Sequence, residues 1–187
     1  MMDRIMKVFT FKQEVYKEVE DDASFTQTAW MIVAVVAFLS QMGANAALVH
    51  VDGGNWVLGT IGGTLFAVVG FAVGAFIISW AGKTFFNADV TFEEMVRTLG
   101  LAYVWNIIGF LGIVGMVSSG LGCVVGPIRF IAGIAGLVSW FIAAKEALDL
   151  EWPQTIGTVV IGWVASLIIP LVATAILGIG AALGGLR

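Results

Sequence analysis

Apolar residues along this chain fall into long blocks, and charged residues fall into short clusters between the blocks. The blocks cover about residues 28–51, 56–81, 99–117, 128–144 and 156–183. Each reaches about the 17 residues that a helix needs to cross a bilayer. Runs such as residues 31–39 lack the alternation of apolar and polar positions that a transmembrane β-strand requires. Because backbone groups in hydrocarbon must bond within a helix or a closed barrel, the pattern predicts five transmembrane helices.

The composition places the chain in the same class. Hydrophobic residues make up 59% of its 187 residues and charged residues 12%, whereas a soluble domain carries about 25% charged residues. So little charge cannot cover a surface in water. We therefore predict an all-α membrane protein with one domain over residues 28–187, a compact bundle of five transmembrane helices.

Residues 1–27 form the most polar segment, and their apolar positions recur every three or four residues. These positions are Ile5, Val8, Phe9, Phe11, Val15, Tyr16 and Val19. The spacing predicts a cytoplasmic amphipathic helix that lies along the membrane interface, with packing beneath the bundle as the alternative. The acidic residues that precede the first block are not typical of a cleaved signal peptide, so we expect the first span to be retained.

Basic residues decide the expected orientation, because they favour the cytoplasmic side of a membrane. Seven of them fall on the side of the N-terminus: Arg4, Lys7, Lys12, Lys17, Lys83, Arg97 and Lys145. Only Arg129, at the edge of the fourth block, and Arg187 argue for the other side. The sequence therefore predicts a cytoplasmic N-terminus and, with five spans, a C-terminus outside.

Two charged loops on the predicted cytoplasmic side contain the candidate binding residues. Thr91 and Glu94 have the spacing of a capping box at the start of a helix. Glu93, Glu94 and Arg97 follow in that helix, and Lys145 and Glu146 close the fourth block. Local capping and anchoring at the interface is one interpretation. The other is that these five residues form a docking surface for a protein partner.

Catalytic, cofactor and metal sites are not indicated. The chain has one histidine, His50, and one cysteine, Cys123, which together do not make a zinc site. No catalytic triad, paired intramembrane carboxylates or phosphate-binding loop can be assembled, so we expect a protein that is not an enzyme and has no cofactor. The formal charge of −4 argues against binding of nucleic acid.

Proline and glycine positions predict how the spans bend and pack. Pro170 lies in the middle of the fifth block, where it should kink the helix, either as a hinge or as a static bend. Glycine pairs four residues apart let helices approach closely, inside the bundle or in a homo-oligomer. They are Gly59 with Gly63, Gly70 with Gly74, Gly122 with Gly126, and Gly180 with Gly184.

Three segments resemble the Yip family (Ypt/Rab-interacting-protein family) in its prokaryotic form. They read FTFKQEVYKE at 9–18, TFEEMVRTLG at 91–100 and AAKEALDL at 143–150, and they occur with five predicted spans and a short outer hairpin. The resemblance implies an integral protein of a prokaryotic plasma membrane. In eukaryotic members it implies binding of Rab-type GTPases, but their acidic, tyrosine-containing N-terminal motif has no counterpart here.

The leading hypothesis is a non-enzymatic, Yip-like multi-pass protein that contacts the lipid bilayer and docks a partner or organises the membrane. Its cytoplasmic face would comprise the N-terminal helix and the loops 82–98 and 145–155. One alternative is a small permease or pore subunit, which would show a polar cavity lined by Gln41, Asn45, Asn106 or Ser166. Another is an accessory subunit of a larger membrane complex.

Overall fold

The computed structural model describes residues 1–50, 54–116 and 122–164, and within these ranges every regular element is helical. The α-helices are α1 (Met2–Phe9), α2 (Glu14–Asp21), α3 (Phe25–Ala44), α4 (Trp56–Phe86), α5 (Phe92–Ala102), α6 (Gly122–Leu148) and α7 (152–164). Two 3₁₀ segments, Ala46–His50 and Tyr103–Met116, continue α3 and α5.

Four helical stretches are long and apolar enough to cross a membrane. They are Phe25–His50, Trp56–Phe86, Phe92–Val114 and Val124–Leu148, and they correspond to the first four predicted spans. The all-helical membrane class is therefore confirmed. Of the fifth predicted span, residues 156–164 are described and helical. The rest of it, including Pro170, lies outside the described residues, so the count of five and the kink stay predictions.

The fourth span begins earlier than its sequence indicates. The sequence predicts a start near Ile128, after Gly126 and Pro127, but α6 begins at Gly122 and contains Pro127. The first four N–H groups of a helix have no acceptor within it. Pro127 is the sixth residue of α6, so it lies beyond these four groups and removes one helical hydrogen bond. Transmembrane helices tolerate such a loss, and α6 continues through it.

Glycines bring α3 into backbone contact with the 3₁₀ segment Tyr103–Met116. A side chain on Gly43 would overlap the carbonyl of Gly109, and one on Gly112 would overlap the carbonyl of Gly43. Gly109 in turn lies against the side chain of Ser40. Such contacts hold helices together in a bilayer, where lipid removes the hydrophobic driving force between them.

The predicted pair Gly59 and Gly63 forms a contact inside the bundle, between α3 and α4. Gln41 lies over Gly63 and Asn45 lies over Gly59. The Asn45 amide Nδ2 also donates to the backbone carbonyl of Gln41 at 3.0 Å and to its Oε1 at 3.1 Å. Gly70, by contrast, faces open space. Asn55 starts α4 by accepting a hydrogen bond from the Leu58 N–H at 3.0 Å.

The N-terminal segment forms two helices where the sequence predicts one. The break follows α1, and there Phe11 has a left-handed backbone with φ 55°. The turn allows α1 and α2 each to direct apolar residues at the bundle, and Val8, Val15, Tyr16 and Val19 are fully buried. The burial of these residues agrees with the predicted packing against the bundle. That the two helices also lie along the membrane interface stays a prediction.

We expect Gly43→Ala to destabilise the bundle by about 1–3 kcal/mol, because the added methyl group forces α3 away from the 3₁₀ segment. Gly70→Ala is the matched control, since the same methyl group enters open space on α4. Thermal unfolding in detergent, followed by circular dichroism, measures both. Equal midpoints for the two variants would contradict the close contact.

Candidate functional site

Charged residues gather at one end of the helix bundle, where α3 and α5 begin and α4 and α6 end. Gly82 of α4 lies against Leu148 of α6 there. We call this the charged end. Its acidic members are Asp3, Glu14, Glu18, Glu20, Asp21, Asp22, Asp89, Glu93, Glu94, Glu146, Asp149 and Glu151, and its basic members are Arg4, Lys7, Lys12, Lys17, Lys83, Arg97 and Lys145. Twelve acidic residues against seven basic ones make this end acidic.

Arg97 of α5 lies at the centre of the charged end, with its side chain 8% exposed. Its Nε donates to the backbone carbonyls of Val19 at 3.1 Å and Glu20 at 3.0 Å, and its Nη2 also donates to Glu20. Its Nη1 donates to the Thr26 hydroxyl at 3.2 Å. The last carbonyls of a helix lack partners within it. Arg97 therefore caps α2 and ties it to α3 and α5.

Two further contacts fasten α2 to α6. The Tyr16 hydroxyl and the Ser139 hydroxyl form a buried hydrogen bond of 2.6 Å. Lys17 Nζ donates to Asp149 Oδ2 at 3.2 Å, just beyond the end of α6. Burial raises the pKa of Tyr16 to about 12, against a smaller lowering by the bond to Ser139. The Tyr16 hydroxyl is therefore protonated while α2 is packed against α6.

Glu20 is the buried carboxylate of this end, 7% exposed. Lys17 Nζ lies 3.1 Å from Glu20 Oε2, an ion pair without the alignment of a hydrogen bond. Burial raises the pKa of Glu20, and the Lys17 ammonium opposes that rise. Lys17 therefore holds two carboxylates, one on its own helix and one on the chain after α6.

Arg4 joins α1 to α2. Its Nε donates to Glu18 Oε1 and its Nη1 to Asp22 Oδ2, both at 2.9 Å. The guanidinium also lies 5.2 Å from the centre of the Phe25 ring, within the range of a cation–π contact. The Ser24 hydroxyl, and then Arg4, lower the pKa of Asp22. Arg4 is thus engaged within the protein.

The predicted capping box at the start of α5 is present. The Glu94 N–H donates to Thr91 Oγ1 at 3.2 Å, and the Thr91 N–H donates to Glu94 Oε2 at 2.6 Å. Glu94 Oε1 also lies 3.9 Å from Arg97 Nη2. Glu94 and Arg97 are thus engaged within the protein, while Glu93 is exposed. Of the three candidate residues on α5, Glu93 is the exposed one, Glu94 is partly buried and Arg97 is buried.

Lys145 and Glu146 are partly buried at the end of α6. Their side chains form an ion pair at 3.7 Å, with 27% and 19% exposure. Lys145 Nζ also lies 5.8 Å from the ring centre of Trp152 on α7. α5 packs against α6, so the two predicted groups share one end of the molecule. Both residues of this pair keep part of their surface open.

Sequence patterns missed the residues that fasten α2: Tyr16, Ser139 and Asp149. One signal was available for Tyr16. A tyrosine on the apolar side of an amphipathic segment has to find a partner for its hydroxyl once it is buried. Nothing in the local sequence points to Ser139, which lies 123 residues away.

The side chains of the charged end can form ion pairs and hydrogen bonds. Exposed carboxylates, such as those of Asp89, Glu93 and Glu151, can bind cationic groups. Among residues 1–50, 54–116 and 122–164, no three His, Cys, Asp or Glu side chains are placed to hold a metal ion.

Comparison with the models of known families gives a match. The model of the family described as Yip1 domain matches residues 6–182, which include all six helices from α2 to α7 and the second half of α1. No curated protein and no solved structure matches the chain.

We expect Arg97→Ala to release α2, because each hydrogen bond from a charged group contributes about 1.5–3 kcal/mol. Release exposes Tyr16, so its pKa should fall from about 12 towards the ordinary value of about 10. The folded pKa lies above the unfolded one. The Tyr16 contact therefore has full strength below about pH 10 and is lost as the pH rises towards 12.

Ultraviolet absorbance of tyrosinate measures this pKa. The chain has two tyrosines, so Tyr103→Phe leaves Tyr16 as the only one that titrates. Glu93→Gln is the control, since Glu93 is exposed and its loss should leave the titration unchanged. A titration of Arg97→Ala identical to that of the parent protein would rule out the capping role.

Proposed function

The chain belongs to the Yip1 domain family, and from this premise we propose that the charged end is the face on which a protein partner docks. The protein is integral to the membrane by family and by its apolar helices. In this proposal it acts as a non-enzymatic scaffold that presents one water-facing surface. The partner is a protein whose own surface is basic.

The observation that carries the proposal is the unequal use of acidic and basic groups. Arg4, Lys17 and Arg97 are all engaged with acceptors inside the protein, and two basic residues of this end, Lys12 and Lys83, are exposed. Several carboxylates remain exposed, namely those of Glu14, Asp21, Asp89, Glu93 and Glu151. The open surface therefore has a negative potential, which favours a cationic protein surface and disfavours anionic lipid headgroups.

The distribution of basic residues supports a cytoplasmic position for this end. Four of the seven basic residues of the charged end precede the first span, and the other three, Lys83, Arg97 and Lys145, lie near the charged-end termini of the next three spans. Short loops rich in Lys and Arg remain in the cytoplasm. We therefore propose a cytosolic partner and an N-terminus on the cytoplasmic side.

The geometry gives less support to a permease or pore. Gln41 and Asn45, expected to line a polar cavity, instead bond to each other over Gly59 and Gly63. Asn106 lines two cavities together with Trp140. Ser166 lies outside the described residues. Of these polar side chains, Gln41 near the end of α3 and Asn45 just after it serve helix packing.

We expect charge reversal at two exposed acidic residues, Glu93→Lys with Glu151→Lys, to weaken docking about tenfold. Each exposed ion pair contributes up to about 1 kcal/mol, and about 1.4 kcal/mol is a factor of ten. A photo-crosslinking residue at Asp89 reports the partner in intact membranes. The yield of its adduct, normalised to the amount of inserted protein, is the measurement.

Lys83→Glu is the matched control, because it also reverses one exposed charge at this end but makes the surface more acidic. Its adduct yield should hold or increase, and raising the salt concentration should lower all yields. An adduct yield that Glu93→Lys with Glu151→Lys leaves unchanged would contradict docking at this surface.

We also expect residues 89 and 151 to face the same, cytoplasmic side. Single cysteines at these positions, in a Cys123→Ser background, should react with an impermeant maleimide only after cells are opened. A cysteine at the exposed Gly54, beside the start of α4, should react in intact cells. Labelling of positions 89 and 151 from opposite sides would exclude the arrangement.

A further inference from the structure

Arg129 is a charged residue inside a candidate span. It lies in Val124–Leu148, about 7.5 Å along the helix axis from the first residue of that span at 1.5 Å per residue. Its side chain is exposed, and no residue in the described part of the chain forms an ion pair with it. An arginine at this depth is costly unless it is paired, so it indicates a site.

Arg129 lines two cavities at the end of the bundle opposite the charged end. One, of about 410 Å³, lies between the end of α3, the 3₁₀ segment Tyr103–Met116 and the start of α6, with His50 on its wall. The other, of about 270 Å³, extends further along α6. A Cβ on Gly112 would lie 3.0 Å from Arg129 Nη1. The guanidinium therefore lies against a glycine backbone between the two cavities.

Hydrogen-bond donors surround the smaller cavity. The hydroxyl of Ser40 and the side chain of Asn106 belong to its wall, as do Trp105 and Trp140. The buried indole N–H groups of both tryptophans have no partner among the described residues. Neither cavity has an Asp or Glu among the described residues that line it. Such a lining suits a ligand that is an anion and accepts several hydrogen bonds.

We propose that Arg129 binds the phosphate group of an anionic phospholipid. The chemistry it recognises is a phosphate oxygen, which a guanidinium can bind through two parallel N–H groups. The lipid is favoured over free phosphate because α6 presents a large exposed apolar surface beside the arginine. That surface consists of Ile128, Phe130, Ile131, Ile134, Leu137 and Val138.

An acyl chain can lie along this surface while the headgroup reaches Arg129. The side chains of Phe130 and Ile131, 71% and 68% exposed, directly follow the arginine. One amphiphile thus satisfies both the cation and the apolar side chains next to it. The site lies away from the charged end, so the lipid proposal can be tested independently of the proposal that a partner docks there.

Native mass spectrometry of the purified full chain tests the proposal by counting retained lipids. We expect retention of phosphatidylglycerol over phosphatidylcholine with the same acyl chains. Arg129→Gln should weaken phosphatidylglycerol binding about tenfold, the effect of losing one charge-assisted hydrogen-bonding group. Lys83→Gln removes one exposed positive charge at the opposite end and should bind like the parent protein.

Arg129→Lys keeps the charge but loses the planar pair of donors, so its affinity should fall between those of the parent and Arg129→Gln. This variant also covers the case in which Arg129→Gln does not fold. Equal retention of phosphatidylglycerol by the parent and both variants would overturn the proposal, and so would equal retention of the two lipids.

A test with inorganic phosphate distinguishes free phosphate from a phospholipid headgroup as the ligand. If it raises the unfolding temperature of the parent protein but not of Arg129→Gln, while phosphatidylglycerol shows no preference for Arg129, the site takes free phosphate and the lipid proposal fails. Thermal stabilisation by phosphatidylglycerol alone, dependent on Arg129, supports the lipid.

Discussion

The fold depends on one buried guanidinium, that of Arg97, and on the carbonyls at the end of α2 that it satisfies. A buried charge is tolerated only when its hydrogen-bonding capacity is used. Arg97 meets this requirement with two backbone carbonyls and the Thr26 hydroxyl. The same bonds complete a helix end that would otherwise leave acceptors unpaired. They hold α2 on the bundle, and from there Tyr16 and Lys17 reach α6 and the chain beyond it.

A second constraint acts among the spans themselves. Lipid tails are as apolar as the side chains they meet, so helices associate through close packing. Gly43, Gly109 and Gly112 supply that packing between α3 and the 3₁₀ continuation of α5. The polar residues Gln41 and Asn45 likewise pack closely against Gly63 and Gly59. Gln41 and Asn45 therefore serve the packing of the helices.

Hydropathy and local motifs were enough to predict the membrane class, the first four spans and the capping box of Thr91 and Glu94. Each of these depends on residues close together in sequence. The capping role of Arg97 could not be predicted from the sequence, because its acceptors at Val19 and Glu20 are 78 and 77 residues away. The sequence predicted one N-terminal helix, since nothing there marks Phe11 for a left-handed turn. Pro127 indicated a boundary, but α6 runs through it, because a transmembrane helix tolerates the single hydrogen bond that a proline removes.

Arg97 has a consequence for how this protein can diverge. Its acceptors in α2 belong to the main chain, and every amino acid provides the same carbonyl oxygen. The residues at positions 19 and 20 can therefore change without altering the bond, as long as the helix ends in the same place. For this contact, selection then acts on the arginine alone, and the side chains of Val19 and Glu20 are constrained only by their own contacts. An analysis of correlated substitutions between homologues would not detect this contact, although it holds two distant parts of the chain together.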